Sequence, residues 1–159
     1  MYQYSFANVD LVLRIPDLKG KYASTKITGF GTGEGLINVM RRAPIATTQF
    51  GAYGDMVVSM QRIRAGDLTF PVLMNAPENK LLQDYANNFQ SLADADGAVV
   101  FPIHATMTDN MGNDEAVMTN GVILAMPAMS RGQTMNTITW VVTFEKISFK
   151  RELDNDLVV

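Results

Sequence analysis

Along the stretch Asn136 to Lys150, Ile138, Trp140, Val142 and Phe144 alternate with Thr137, Thr139, Val141, Thr143 and Glu145. Period-two alternation of this length marks a long β-strand with one side toward a core and the other toward something polar. After Glu145 and Lys146 the phase flips, and Ile147 and Phe149 become the apolar set. A bulge, or a strand that passes from one sheet to another, produces such a flip. The same signal predicts a first strand, in which Val9, Leu11, Leu13 and Ile15 alternate with Asp10, Val12 and Arg14 until Pro16 ends it. A glycine-rich, apolar-poor stretch from Asp17 to Gly35 then predicts a long loop, of the kind that is either functional or mobile in a compact domain. Leu36 to Arg42 and Ala46 to Ala52 predict two further strands, and Gly51 to Asp55 supplies turn chemistry after the second.

Met56, Val58 and Met60 alternate with Val57, Ser59 and Gln61, and Leu68, Phe70, Val72 and Met74 alternate with Thr69, Pro71 and Leu73. With Arg64 to Asp67 as the tight connection, these two runs predict a β-hairpin. Pro71 removes a ladder donor and places its strand at an edge or a bulge. A helix follows: Asn75 is a capping residue, Pro77 suits the first turn, and Glu78 complements the positive helix start. Leu81, Leu82, Tyr85, Phe89 and Leu92 make one apolar stripe, and Gly97, after Asp94 and Asp96, is placed to end the helix. Val99 to Thr108 and Met118 to Met126 predict two more strands joined by the polar loop Asp109 to Glu115. Strands, one helix and strands again predict an α+β fold with a mainly antiparallel sheet.

Composition narrows what such a fold can do. A chain of 159 residues forms one domain with a core that needs no staples. Cysteine is absent, which excludes disulfides, thiolate metal sites and cysteine nucleophiles. A net charge of -3 argues against a protein that grips nucleic acid, though not against a surface along which nucleic acid slides. No stretch approaches the roughly 20 apolar residues that span a bilayer. The start, MYQYSFANVD, has neither a basic nor an apolar leader region, so the expectation is a protein made and kept in a cytoplasm until something releases it. The 11 methionines are expected to fill irregular core gaps.

Candidate chemistry is sparse. Phe30 to Gly35 is glycine-rich, but neither Gly-Lys-Ser/Thr nor a helix follows, so it is no phosphate cradle. Asp94-Ala95-Asp96-Gly97 opens like a calcium loop, yet Ala105 stands where the bidentate glutamate belongs. Asp109 to Glu115 has the composition of a cation site and also of an ordinary hairpin tip, and we take it as the latter. His104 is the only histidine and falls on the polar face of its strand. A metal-assisted hydrolase using Asp109, Asp114 and His104 lacks ligands. No serine sits in Gly-x-Ser-x-Gly, and no spacing forces two carboxylates together. Arg41, Arg42, Arg62 and Arg64 form a basic group on strands that can be neighbours, suited to pairing with acids on another subunit. The expectation is therefore no enzyme, with no catalytic, cofactor-binding or metal residues and no cofactor.

The order of these pieces resembles the tail tube proteins of bacteriophages with long contractile, myovirus-type tails. The residues that carry it are Tyr4 to Val9, Gly33 to Val39, Gln49 to Ser59, and Ala65 to Leu73 just before a helix holding Asn79, Leu82 and Tyr85, then Thr139 to Phe144. The resemblance implies a single tail tube domain over residues 1–159, two packed antiparallel sheets, sandwich- or barrel-like, flanked by one helix. It implies a flexible loop at about 17–35 and a C-terminal arm at about 151–159. Six copies would form a ring whose inner wall is a continuous β-barrel, and rings would stack head-to-tail into a hollow tube in the virion, assembled in the host cytoplasm. The implied partners are further copies of the chain and the sheath, baseplate and tail terminator proteins. DNA would pass through the lumen during ejection without specific binding, and no membrane is involved. Lys19, Lys21 and Lys26 make the 17–35 loop more basic than a lumen lining, which places it on ring-to-ring or sheath-facing surfaces. Tailocin and type VI secretion tubes share the resemblance. From another class, a soluble β-sandwich ligand-binding module would show surface aromatics clustered in a groove.

Overall fold

The computed structural model describes residues 5–15, 24–30, 37–91, 102–110, 114–134 and 136–151, without the side chains of Ala7 and Arg151. After a short 3-10 turn at Phe6–Asn8, the elements run β1 (Val9–Arg14), β2 (Ser24–Ile27), β3 (Asn38–Arg41), β4 (Ala46–Phe50), β5 (Met56–Met60) and β6 (Gly66–Leu73). Helix α1 (Pro77–Ser91), β7 (Ile103–Asp109), β8 (Asp114–Val122) and β9 (Thr137–Arg151) complete them. All the pairings among the described residues are antiparallel. The fold is thus α+β and mainly antiparallel with a single α-helix among the described residues, as the alternation predicts, and in two sheets, as the resemblance implies.

Seven strands form one sheet in the order β2-β1-β7-β8-β9-β6-β3. Its long member, β9, pairs with β6 over Thr137 to Phe144 and with β8 over Thr143 to Arg151. One strand therefore serves two halves of the sheet and turns one against the other. Where they overlap, Gly121 of β8 faces Phe144, and a Cβ there would stand 2.4 Å from the Phe144 ring. Past the end of β2, Phe30 bridges to Val72 of β6, and Leu73 donates to the Gly29 carbonyl at 2.7 Å. The sheet thereby curls until its β2 end meets β6, which makes it barrel-like.

The inward rows of that curl make the core. Leu11, Leu13, Ile27, Leu68, Phe70, Val72, Ile103, Met118, Ile138, Trp140, Val142, Phe144 and Ile147 are all buried in one cluster. Helix α1 closes it with Leu82, Tyr85 and Ala86. Two polar residues of the first helical turn go in with them. Asn79 accepts a hydrogen bond from Trp140 Nε1 at 2.9 Å and donates to the Leu73 carbonyl. Glu78 Oε1 accepts from both the amide and the hydroxyl of Thr28. The buried Tyr85 phenol is pushed up to about 12, because burial disfavours the phenolate.

Two expectations change here. The 17–35 stretch contains β2, a strand whose single buried residue, Ile27, is too weak a pattern to notice. The hairpin expected between the 56–60 and 66–74 runs does not form. β5 pairs instead with β4, and β6 with β9 and β3. The physical reason is the linker: residues 61–65 make no turn, and the Arg64 carbonyl accepts from Ile147 of β9. The Gly51–Asp55 segment makes the reversal, closed by Gly51 N to Asp55 O at 2.7 Å. The helix begins at Pro77 as expected, while Leu92, Asp94, Asp96 and Gly97 lie outside the described residues, as do Gly31 to Leu36, the Met111–Asn113 tip, Lys19, Lys21 and residues 152–159.

Asp67 of β6 shows a long-range pairing that sequence alone hides. Arg42 donates to both its carboxylate oxygens at 2.9 Å, and the Thr143 hydroxyl donates at 2.8 Å. The Arg42 hydrogen bonds hold the carboxyl below its usual value, against the opposing desolvation, with smaller help from Thr143. A depressed folded pKa stabilises above the unfolded value of about 3.9 and ceases to as pH falls through the folded one. Asp67→Asn should therefore lower stability near neutral pH and make the urea midpoint fall less steeply between about pH 4 and pH 2. Equal acid slopes for the two proteins would contradict this.

Candidate functional site

The β4–β5 hairpin stands apart from everything above. All five residues of β5 and four of the five in β4 are exposed, as are the turn residues between them. Direct pairs share a face, so the register sorts the hairpin into two. Ala46/Met60, Thr48/Val58 and Phe50/Met56 make one face, and Thr47/Ser59 and Gln49/Val57 the other. The first is apolar and bare: Phe50 and Met60 are each 70% exposed, and Tyr53 at the tip is 97% exposed. The second carries hydroxyls and an amide but no charge. A lone two-stranded sheet with a solvated apolar face is marginal in water. A surface of this kind marks a contact with another molecule.

At the root of the hairpin two bulges lie side by side. Between β7 and β8 the register shifts across Ile103 and Ala105, and Asn120, opposite this shift, has φ 56°. In β9, Glu145 and Lys146 are both exposed between buried Phe144 and Ile147. There two residues oppose the single Ala65, since Gly66 pairs with Phe144 and Arg64 O with Ile147 N. This is the phase flip predicted from sequence. Because β8 and β9 bulge at one level, their mutual register stays intact, and Asn120 Nδ2 donates to Glu145 Oε2 at 2.9 Å. Gln61, Arg62, Arg64, Thr119, Asn120, Glu145 and Lys146 line an open cleft of about 520 Å³ there.

The four arginines do not act together. Arg41 donates twice to the Ile147 carbonyl and lies 5.4 Å over the ring of Phe149, which is exposed though the pattern counts it apolar. Arg42 belongs to Asp67. Arg62 and Arg64 face the cleft. Lys26 is paired with Asp10 at 2.8 Å across β2 and β1. His104 accepts a 3.4 Å hydrogen bond from the Asn120 amide, a structural use at the bulge. It lies five residues along β7 from Asp109, roughly 16 Å, so Asp109, Asp114 and His104 do not converge. No group of three or more possible metal ligands occurs among the described residues. Trp140 is fully buried, and the exposed Phe50 and Tyr53 sit on the hairpin rather than in a groove.

The alternation marks the right strands in the hairpin segment and the wrong partner for β5, which pairs with β4. The better signal was present: Gly51 to Asp55 is richer in turn residues than Arg64 to Asp67, and Ala46, Thr48 and Phe50 align with Met56, Val58 and Met60.

Known proteins resemble this chain in family and in fold. The family described as Bacteriophage PhiTE tail tube protein matches residues 1–151. No curated protein matches the sequence. Among solved structures, a chain of the anti-feeding prophage cap, the cap that terminates its tube, aligns with a TM-score of 0.54 at 11% identity, over 96% of this chain and 93% of that one. A chain of the extended sheath–tube complex of the extracellular contractile injection system PVC aligns at 0.54 and 8% identity, over 95% and 93%. One from the extended sheath/tube terminator of that system aligns at 0.54 and 10%, over 94% and 98%. At such identities the structural likeness is one of fold.

Proposed function

This chain belongs to the bacteriophage PhiTE tail tube protein family, and from that premise we propose that six copies close into a ring through the β4–β5 hairpin and that rings stack into a conduit for DNA. The carrying observation is the hairpin, amphipathic and bare on both faces. Its apolar face packs against the adjacent copy, and its outer edges add strands to that copy, so that closure removes the exposed edges. The edge of the seven-stranded sheet at β3 offers such a pairing partner. Its uncharged face, Thr47, Gln49 and Ser59, then turns to the lumen with exposed Thr137 and Thr139 of β9. Neutral hydroxyls and amides neither release counterions from phosphate nor repel it, so DNA slides.

Head-to-tail stacking is heterologous and extends without limit until a terminator caps it. The tube is a structural part of the particle and carries no catalytic step. A sheath around it, a baseplate and a terminator are its partners in the virion. The likeness to a sheath–tube complex and to a terminator supports the first and last of these. A second reading is a tube of an injection machine that carries no genome, supported by the extracellular system among the structural neighbours. The family match to a bacteriophage protein favours DNA.

Mass photometry of the purified protein tests the ring. The expected species has six times the 17.5 kDa chain mass, with heavier stacks at higher concentration. A single monomer peak at every concentration would sink the reading.

A further inference from the structure

Arg62, Arg64 and Lys146 bring three cations to the cleft at the paired bulges, against one acid, Glu145, which already accepts from Asn120. The excess positive charge sits on a chain whose net charge is -3, so it is a local construction. It is also fixed in place: Arg64's own carbonyl accepts from Ile147 of β9, and Lys146 is set outward by the bulge. A cleft whose three cations outnumber its single carboxylate fits a short acidic peptide better than an apolar one.

Beyond β9 the chain runs Glu152, Leu153, Asp154, Asn155, Asp156, Leu157, Val158 and Val159, with three acids and no base. The family match ends at residue 151, so this segment lies outside the shared pattern. We propose that the acidic segment 152–159 of one copy docks in the bulge cleft of a neighbouring copy, its carboxylates pairing with Arg62, Arg64 and Lys146. The proposal rests on the tube reading.

Strand direction favours the neighbour over the same chain: five residues separate Lys146 from Arg151, roughly 17 Å, so β9 carries the start of the acidic segment away from its own cleft.

The test uses full-length protein, an equal mixture of unlabelled and ¹⁵N-labelled copies, assembled and treated with a carbodiimide that joins lysine directly to carboxylate. Mass spectrometry should find Lys146 joined to Glu152, Asp154 or Asp156, with mixed-label pairs about as frequent as same-label pairs. Rings or tubes that form without this cross-link, or with same-label pairs only, overturn the docking and leave the tube reading standing. Wild-type protein that forms neither rings nor tubes overturns both. The double variant Arg62→Glu/Arg64→Glu should raise the concentration needed for tubes about tenfold, the scale of a small ion-pair network. Adding Asp154→Lys and Asp156→Lys should reverse that shift, and failure to do so would also overturn the docking.

Discussion

Replacing Phe50 and Val58 together by aspartate should abolish rings while leaving the melting temperature of the single chain within about 2 °C of the parent. Both residues lie on the apolar face of the β4–β5 hairpin, Phe50 opposite Met56 and Val58 opposite Thr48. Both are exposed in the isolated chain, Phe50 at 70% and Val58 at 47%, so charge there costs the monomer little. In a ring the same positions are covered. Truncating a central interface residue commonly costs on the order of 2 kcal/mol, and a desolvated, unpaired carboxylate costs more. Two per contact give at least ~4 kcal/mol, about a thousandfold in each association constant, repeated around the ring. Mass photometry with a thermal melt reads both halves. Rings at the parent's concentration would remove the hairpin from the interface. A collapsed melting temperature would mean the face already packs within its own chain.

Gly66→Ala should be the most damaging single methyl on the body of the fold. A Cβ at Gly66 would stand 2.3 Å from the Met40 carbonyl oxygen and 2.5 Å from Ile147 Cδ1. The carbonyl is backbone and belongs to the β3–β6 pair, where Arg41 faces Gly66, so it cannot turn aside as a flexible side chain would. Relief requires β3 to lift off β6 or Ile147 to leave the core, where it is fully buried beside the β9 bulge. Forcing volume into such a site costs about 3 kcal/mol, which lowers the melting temperature of a chain this size by roughly 6 to 12 °C. Gly132→Ala is the control, since the nearest atom there is Asn136 Nδ2 at 3.7 Å. Equal melting temperatures for the two variants would contradict the close β3–β6–β9 junction.

The sequence announces the parts of this fold whose residues report their own surroundings. In β9, Ile138 to Phe144 alternate because one side meets the core, and the flip at Glu145 and Lys146 is the bulge itself. The α1 stripe of Leu81, Leu82 and Tyr85 is legible for the same reason. Pairing is another matter. Met56, Val58 and Met60 display a face without saying what covers it, and in the single chain nothing does, so the nearest apolar run, in β6, looked like its mate. Ser24 to Ile27 is a strand because β1 lies beside it, with one buried residue to show for it. Arg42 reaching Asp67, and the neighbouring bulges at Asn120 and Glu145, join positions far apart in the chain. No local pattern records that.

Cryo-electron microscopy of assembled protein tests the central claim most directly. The account predicts hollow tubes of stacked six-membered rings, with Phe50, Val58 and Met60 covered by the adjacent copy and Thr47, Gln49 and Ser59 facing the channel. Tubes with the β4–β5 hairpin left in solvent, or with its apolar face lining the channel, would contradict it.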